Sequence, residues 1–245
     1  MITEIKTLVK DLVLVVLFFL VFTNFGWASF HIPSGSMEPT LEVGDRLFVS
    51  KFAYGYSRFS FPFDPPVFEG RVMDSKLERG DVAVFTLPYR NNTDFIKRVI
   101  GLPGDKIQMV EGRLFINGTI VPRTFVRNVD YTDYNGFERR AREYEEALPG
   151  KEGSTVIHRI YERTDRGRLD NTPLFVVPEG HYFMMGDNRD GSADSRELHN
   201  MGFVKFDYFV GRADVTTFSL YDCDQGKDVF CPGGVPLGRF FNAID

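Results

Sequence analysis

The feature that most constrains this chain is a run of nineteen uncharged residues, 12–30. An α-helix of that length would span about 28 Å at 1.5 Å per residue, which matches the hydrocarbon thickness of a bilayer. Trp27 lies near the outer end of the run, where aromatic rings favour the membrane interface. Lys6 and Lys10 precede it, and basic residues favour the cytoplasmic side. We therefore predict a single transmembrane anchor at 12–30, with residues 1–11 in the cytoplasm.

A cleaved signal peptide is the alternative interpretation of the same segment. Its strongest apolar block, Leu12–Phe22, has the length of a signal-peptide core, and Gly26-Trp27-Ala28 fits a small-x-small cleavage site. Both interpretations place the residues beyond 30 outside the cytoplasm. The predicted location is the inner (plasma) membrane, single-pass, with the folded part on the extracytoplasmic side.

Composition excludes several classes of protein. With 43% hydrophobic residues, the chain is too apolar to be disordered, and 245 residues are enough to bury a core. A net charge of −5 argues against nonspecific nucleic-acid binding, which depends on neutralising phosphates. The two cysteines, Cys223 and Cys231, cannot form a four-ligand zinc site on their own. They can close one disulfide loop in an oxidising compartment or remain free thiols, and spacing does not decide between the two.

Beyond residue 30 the pattern is typical of a mainly β protein, with short apolar runs separated by Gly, Pro and Asp. Asn117-Gly118 lies between two such runs, 114–116 and 119–121, and is a strong signal for a two-residue hairpin. Only Gly136–Leu148, dense in charge, is predicted to be helical, as a solvated surface helix. The other predicted strands are Arg46–Ser50, Val82–Phe85, Phe95–Ile100, Lys106–Val110, Tyr182–Met185 and Tyr208–Val210.

Two stretches interrupt this pattern and predict a discontinuous β-rich catalytic core with a β-rich inserted subdomain. The core is predicted at 31–119 and 175–220, the inserted subdomain at 120–174, and a C-terminal tail at 221–245. Within the core, the Phe- and Pro-rich segment 52–76 is predicted to be an extended hairpin, either buried or dipping into the membrane. Its alternating phenylalanines would share one face of a strand; they are Phe59, Phe61 and Phe63, followed by Phe68.

Common catalytic and nucleotide-binding motifs are absent from the sequence, including the glycine-rich phosphate loops, the H-E-x-x-H zinc motif and the G-x-S-x-G nucleophile elbow. The segment 186–197 partly matches a twelve-residue calcium loop, with Asn188, Asp190 and Glu197 at ligand positions. Its first position is Gly186, which offers no side-chain oxygen, and the flanks lack a helical pattern. The sequence therefore gives this loop little support as a calcium site.

A nucleophile and a base can nevertheless be nominated. Ser36 lies in a Gly- and Pro-containing segment that can present a hydroxyl beside free N–H groups, although a polar linker has the same composition. None of the four histidines has a recognisable catalytic context. Lys97 and Arg98 lie in an apolar strand and should point to opposite faces, so that one can be buried while the other reaches solvent. A buried Lys97 with its pKa lowered by about 3 units, at a cost of about 4 kcal/mol, would be a competent base, whereas a lysine on an exposed edge strand would not.

Taken together, these segments resemble type I signal peptidase (leader peptidase), the membrane-bound Ser/Lys endopeptidase family. The resemblance covers the predicted core and leaves 52–76, 120–174 and the C-terminal tail unmatched. Four blocks carry it in order: SGSMEPTL at 34–41, GDVAVF at 80–85, KRVIGLPGD at 97–105 and GDNRDGSADSR at 186–196. Two departures stand out: residues 197–201 intervene after the last block where relatives often have an aromatic pair, and only one hydrophobic span is visible.

The resemblance implies a role for each matching residue. Ser36 would be the nucleophile and Lys97 the general base, and Ser34 would join the Ser36 N–H in the oxyanion hole. Ser192 would orient the lysine amine. A structural pair, Asp194 and Arg196, would hold the loop that carries it.

The resemblance also implies a reaction: cleavage of exported preproteins after small residues, at the lipid bilayer, through an acyl-enzyme and with no cofactor or metal. Two alternatives stay open at this point. One is a dedicated peptidase of the same superfamily that matures a single secretion or conjugation substrate. The other is a membrane-tethered β-rich binding module with an inactive site.

Overall fold

The computed structural model describes residues 2–62, 64–65, 69–133, 135–219 and 237–244. It begins with helix α1 (Ile2–Val21), continues through a π-helical turn (Phe22–Gly26) and enters strand β1 (Trp27–His31). The predicted uncharged helix over 12–30 is therefore wrong in its bounds. Backbone carbonyls at the end of α1 are taken by side chains, since Asn24 Nδ2 donates to Leu20 O at 2.7 Å, and the next residues pair with another strand.

Within the described ranges, no helix is both long enough and apolar enough to span a bilayer.

An eight-stranded, largely antiparallel sheet forms the body of the protein, in the order β1-β2-β14-β3-β4-β12-β13, with β15 paired to β14. Both faces of its central strands are covered by apolar side chains, because β3 is buried along its whole length. The predicted strands in this region are confirmed, with some ends unchanged and others moved by up to nine residues. After β1, the strands of this sheet are β2 (Asp45–Ser50), β3 (Val82–Leu87), β4 (Thr93–Gly101), β12 (His181–Met185), β13 (Val204–Lys205), β14 (Phe209–Ser219) and β15 (Asn242–Ala243).

A four-stranded sheet, in the order β11-β5-β6-β7, continues from the end of β4. Its hairpin turns at Asn117 and Gly118, whose φ values of 54° and 80° are those that a tight two-residue turn requires. The predicted Asn-Gly hairpin is thus confirmed. The strands are β5 (Lys106–Val110), β6 (Arg113–Ile116), β7 (Thr119–Ile120) and β11 (Phe175–Val176).

A three-stranded antiparallel sheet lies between β7 and β11 in the chain: β8 (Arg123–Thr132), β9 (Glu138–Pro149) and β10 (Thr155–Glu162). The predicted helix at 136–148 is wrong, because these residues form β9. Their charges are satisfied across strands rather than along a helix. Glu143, for example, accepts from Arg127 on β8 at 2.6 Å and from Arg159 on β10 at 2.8 Å. Such cross-strand partners cannot be read from local charge density.

The Phe-rich segment 52–76 is not an extended hairpin in its described part. It contains two short 3₁₀ turns and a single bridge between Tyr56 and Val72. Phe59 lies in one of these turns and is buried, so the predicted sharing of a strand face fails for it. Phe61 and Phe52 instead pack against Phe25 and Trp27, with ring centroids 5.5 and 5.1 Å apart. Glycine and proline keep this segment from forming strands while its rings cover the entry to β1. Phe63 and Phe68 lie outside the described residues.

The C-terminal segment returns to the main sheet. Arg239 forms ion pairs with Glu42 and Asp45, and β15 pairs with β14. Cys223 and Cys231 lie outside the described residues, so their pairing stays a prediction.

Candidate active site

Ser36 lies in a single 3₁₀ turn, Gly35–Met37, a few residues after β1. The turn is held from a distant part of the chain, because the backbone N–H of Asn188 donates to Ser36 O at 3.2 Å. The Asn188 side chain donates to Gly35 O at 3.0 Å. Ser34 Oγ lies 3.4 Å from Ser36 Oγ. The turn therefore presents two hydroxyls side by side on a backbone that a second loop fixes.

Lys97 points from β4 to the hydroxyl of Ser36. Its Nζ lies 2.7 Å from Ser36 Oγ and donates to Ile96 O at 2.9 Å. The residue is only 4% exposed, because β4 lies inside the sheet between β3 and β12 and not at an edge. Burial lowers the pKa of Lys97 to about 8, and the more distant carboxylates of Asp194 and Asp187 only partly oppose this. A lysine with this pKa is neutral in a substantial fraction of molecules near neutral pH.

Ser192 comes close to the nucleophile turn but does not bond to the lysine. A Cβ on Gly186 would overlap both Ser192 Oγ and Ser36 O, so glycine allows the two segments to meet at this point. Ser192 and Lys97 share no hydrogen bond, and among the described residues Nζ bonds to Ser36 and Ile96 alone. The structure thus brings Ser192 to the site, and its proposed orienting role stays a prediction.

Asp194 and Arg196 form a buried, two-pronged ion pair. The guanidinium donates to both carboxylate oxygens at 2.8 Å. Gly186 N donates to Asp194 Oδ2 at 3.0 Å, and Arg196 donates to Arg189 O at 2.6 Å. Burial alone would raise the pKa of Asp194, but Arg196 and these N–H groups hold it below its ordinary value. The pair therefore closes the loop that brings Ser192 to the site.

Arg98 has a role that the sequence did not reveal. It was expected to reach solvent if Lys97 was buried, but both are buried, because apolar layers and loops cover both faces of the sheet. Arg98 donates to the two oxygens of Asp187 at 2.9 and 2.8 Å, and Thr40 Oγ1 donates to the same carboxylate at 2.5 Å. Burial would raise the pKa of Asp187, yet Arg98 keeps it lowered.

This ion pair continues into the three-stranded sheet. The guanidinium of Arg189 is paired with Glu146 on β9, at 2.9 Å for the longer contact. His158 on β10 lies 3.5 Å from Glu146 and 3.9 Å from Asp187. Burial lowers the pKa of His158 to about 4, so the imidazole is neutral at physiological pH. No sequence pattern signals this network, because its members come from segments 40 to 90 residues apart.

The partial match to a calcium loop does not form a site. Asn188 uses its amide at the Ser36 turn, and Glu197 Oε1 accepts from Arg168 at 2.7 Å. In the described ranges, the one group of three acidic side chains close enough to share an ion includes Asp190 but not Glu197. The linear spacing that suggested the loop is therefore not realised in space.

Comparison with known proteins agrees with this geometry. The family model described as "Signal peptidase, peptidase S26" matches residues 5–218. Signal peptidase I of Rickettsia akari is 41% identical over 194 residues, covering 78% of this chain and 71% of that protein. Signal peptidase I of Rickettsia bellii is 38% identical over 225 residues, covering 89% of this chain and 76% of that protein.

A solved signal peptidase I from Enterococcus faecalis is 29% identical, with a TM-score of 0.32 and coverage of 56% of this chain and 97% of that one. The family match spans most of the chain and includes both Ser36 and Lys97. The chain therefore belongs to the signal peptidase family, peptidase S26.

Proposed function

We propose that this chain is a serine endopeptidase that removes N-terminal signal peptides from exported preproteins, with Ser36 as nucleophile and Lys97 as general base. The observation that carries the proposal is the 2.7 Å separation of Lys97 Nζ from Ser36 Oγ, in a buried setting where no carboxylate of the described residues is bonded to the amine. A nucleophile needs a base within hydrogen-bond reach that is not already protonated.

The steps follow from this arrangement. Neutral Lys97 takes the proton of Ser36, and the alkoxide attacks the carbonyl before the cleavage point. The N–H of Ser36 and the hydroxyl of Ser34 would stabilise the resulting oxyanion, and one such donor is typically worth about 3–4 kcal/mol. Protonated Lys97 then donates to the leaving amine. A water that Lys97 deprotonates releases the acyl-enzyme, which returns the site to its starting state.

A cleft of about 280 Å³ between β1 and the first half of β4, the strand that carries Lys97, offers a place for the signal peptide. Ala28 and Phe30 of β1 line one side and Asp94 of β4 the other, with Phe59 and Val210 among the remaining walls. β1 ends the sheet order, and the first half of β4 pairs with β3 alone among the described residues. Both strands thus offer backbone groups to which an extended peptide can bind.

The proposed setting is the extracytoplasmic surface of the inner (plasma) membrane. Apolar side chains from Leu12 to Val21 on α1 are more than half exposed, and a lipid bilayer would cover them. We propose that 12–30 contains the single-pass anchor and that 1–11 lies in the cytoplasm. The catalytic core would then comprise 31–119 and 175–220, with 120–174 as the inserted subdomain. Ser36 follows soon after the anchor, which would hold enzyme and substrate in one plane.

The test is cleavage of a preprotein with alanine one and three residues before the cut. The purified full-length chain should release the signal peptide, whereas S36A and K97A should not. Ser75 and Lys106 are exposed residues away from the site, so S75A and K106A are matched controls that should cleave normally. Substantial cleavage by K97A would remove the dyad from the proposal.

A panel of unrelated preproteins separates the general enzyme from its alternatives. Cleavage of several of them supports general signal peptide removal. Cleavage of one alone would identify a dedicated maturation peptidase. No cleavage, together with failure of a serine-reactive probe to label Ser36, would leave a binding module with an inactive site.

A further inference from the structure

Three carboxylates from separate segments converge away from the dyad, beneath the loop that carries Ser192. They are Glu162 at the end of β10, Asp170 in the segment that follows, and Asp190 in the loop itself. One oxygen of each lies within 4.8 Å of the others. Glu162 and Asp170 are completely buried, and proximity alone would make such a group costly to ionise.

One oxygen of each carboxylate already accepts a hydrogen bond. Asp190 Oδ2 accepts from the N–H groups of Arg163 and Thr164 at 2.8 and 3.0 Å. Asp170 Oδ2 accepts from Gly167 N at 2.5 Å, and Glu162 Oε2 accepts weakly from an arginine at 3.4 Å. These contacts orient the carboxylates in the way that outer partners orient metal ligands.

In two of the three carboxylates the other oxygen has no such donor. Oε1 of Glu162 and Oδ1 of Asp170 are buried and accept no hydrogen bond from the described residues, which is unusual for carboxylate oxygens. Gly167 closes the group from one side, since a Cβ at that position would lie 2.8 Å from Asp190 Oδ1 and 3.2 Å from Asp170 Oδ2. Glu162 and Asp170 therefore each keep a buried carboxylate oxygen that is available to an ion.

Most neighbouring cations are bonded elsewhere. Arg189 pairs with Glu146 and Arg196 pairs with Asp194, while Arg123 lies 2.7 Å from Asp165 and 3.4 Å from Glu162. A single proton can join only two carboxylate oxygens. A metal ion can accept electron pairs from all three at once.

We propose that Glu162, Asp170 and Asp190 form a calcium-binding site that connects the loop carrying Ser192 to the three-stranded sheet. Calcium accepts carboxylate oxygens at about 2.3–2.6 Å in flexible geometry, so ligands up to about 4.8 Å apart can share it, whereas magnesium requires a smaller, stricter cage. The site differs from the linear loop that the sequence suggested, with which it shares only Asp190. It does not depend on the proposed peptidase function, because binding needs neither Ser36 nor Lys97.

Burial raises the pKa of Glu162 to about 9, with Asp190 and Asp170 adding to the effect, so without an ion this residue would be protonated at neutral pH. A bound proton is therefore the competing occupant. The two make different predictions for the isosteric variant E162Q, which mimics the protonated acid but is a poor calcium ligand.

The experiment measures the thermal midpoint of the full-length chain after chelator treatment, with calcium chloride added back. Above the dissociation constant, each tenfold increase in calcium should raise the midpoint by about 3–5 °C. E162Q and D170N should lose this response. D130N should keep it, because Asp130 is an exposed carboxylate on the same sheet.

Equilibrium dialysis of the wild-type chain with calcium alone provides a test that does not depend on whether the variants fold. One saturable ion per chain supports the site. The proposal is overturned if the wild-type chain binds none, or if calcium leaves the midpoint unchanged while E162Q is as stable as wild type. An equal response to magnesium would overturn the assignment to calcium.

Discussion

Lys97 and Arg98 are neighbours on β4, and their side chains point to opposite faces of the strand. Lys97 points to Ser36, whereas Arg98 belongs to a cluster of ion pairs. Both basic side chains are buried. Arg98 is bonded to a carboxylate through two contacts, whereas Lys97 makes no ion pair within the residues that the structure describes and lies against a hydroxyl and a carbonyl. The sheet therefore holds one cation by pairing it and destabilises the charged form of the other by leaving it unpaired.

The paired Arg98 contributes to the stability of the fold, whereas the unpaired Lys97 is suited to act as a base. Desolvation penalises an unpaired ammonium and lowers its pKa, which is what a general base at neutral pH requires. A buried arginine bonded to a carboxylate through two contacts orients the loop segment that carries Asp187 and Asn188. Replacing Lys97 and replacing Arg98 by apolar residues should therefore change the free energy of unfolding in opposite directions.

The largest expected effect is that of K97M, which should abolish cleavage and stabilise the fold. The pKa of Lys97 falls from 10.5 to about 8, so keeping the amine protonated in the folded state costs about 3 kcal/mol. This penalty is fully present below pH 8, shrinks between 8 and 10.5, and vanishes above. Denaturant unfolding at pH 7 should show a free energy of unfolding higher by up to about 3 kcal/mol. A less stable variant would contradict the unpaired, desolvated setting.

The matched change on the other face, R98M, should destabilise the protein. Removing one partner of a buried ion pair leaves Asp187 with an uncompensated charge and costs about 3–5 kcal/mol. The same unfolding measurement reads this directly. If R98M were as stable as wild type, the Arg98–Asp187 pair could not be what holds the loop.

A smaller, catalytic effect is expected for S34A. Loss of one oxyanion donor should lower kcat by about 10²–10³ while KM changes little, because the contact strengthens as charge develops on the substrate oxygen. Steady-state kinetics with a peptide substrate separates the two constants. A rise in KM alone would assign Ser34 to substrate binding instead.

The smallest effect is that of pH on the wild-type enzyme. Because the base must be neutral, kcat/KM should fall about tenfold for each pH unit below the Lys97 pKa of about 8 and level off above it. A pH series under conditions where the fold is intact tests this. A flat profile between pH 6 and about 8 would mean that the amine is not the titrating base.

The pattern of the main sheet and the nomination of Ser36 and Lys97 could be predicted from sequence, because strand periodicity and short motifs are local. The same reasoning failed where partners are distant. The charges of β9 suggested a helix because their cross-strand partners on β8 and β10 are not visible in sequence. Arg98 was expected in solvent for the same reason, since Asp187 lies 89 residues away. Helical structure gives way to strand pairing at Trp27, inside the uncharged run, which hydropathy does not register.

Ser36 meets Lys97 across 61 residues and is braced by a backbone hydrogen bond from Asn188, about 150 residues further along the chain. Neither contact can exist before the segments that carry Ser36, Lys97 and Asn188 have come together. In a nascent or half-folded molecule, Ser36 and Lys97 are consequently apart and the dyad is not assembled. An enzyme of this family would be surrounded by other unfolded chains during its biogenesis. Because its two catalytic groups are far apart in sequence, it would gain cleavage activity only after folding has brought them together.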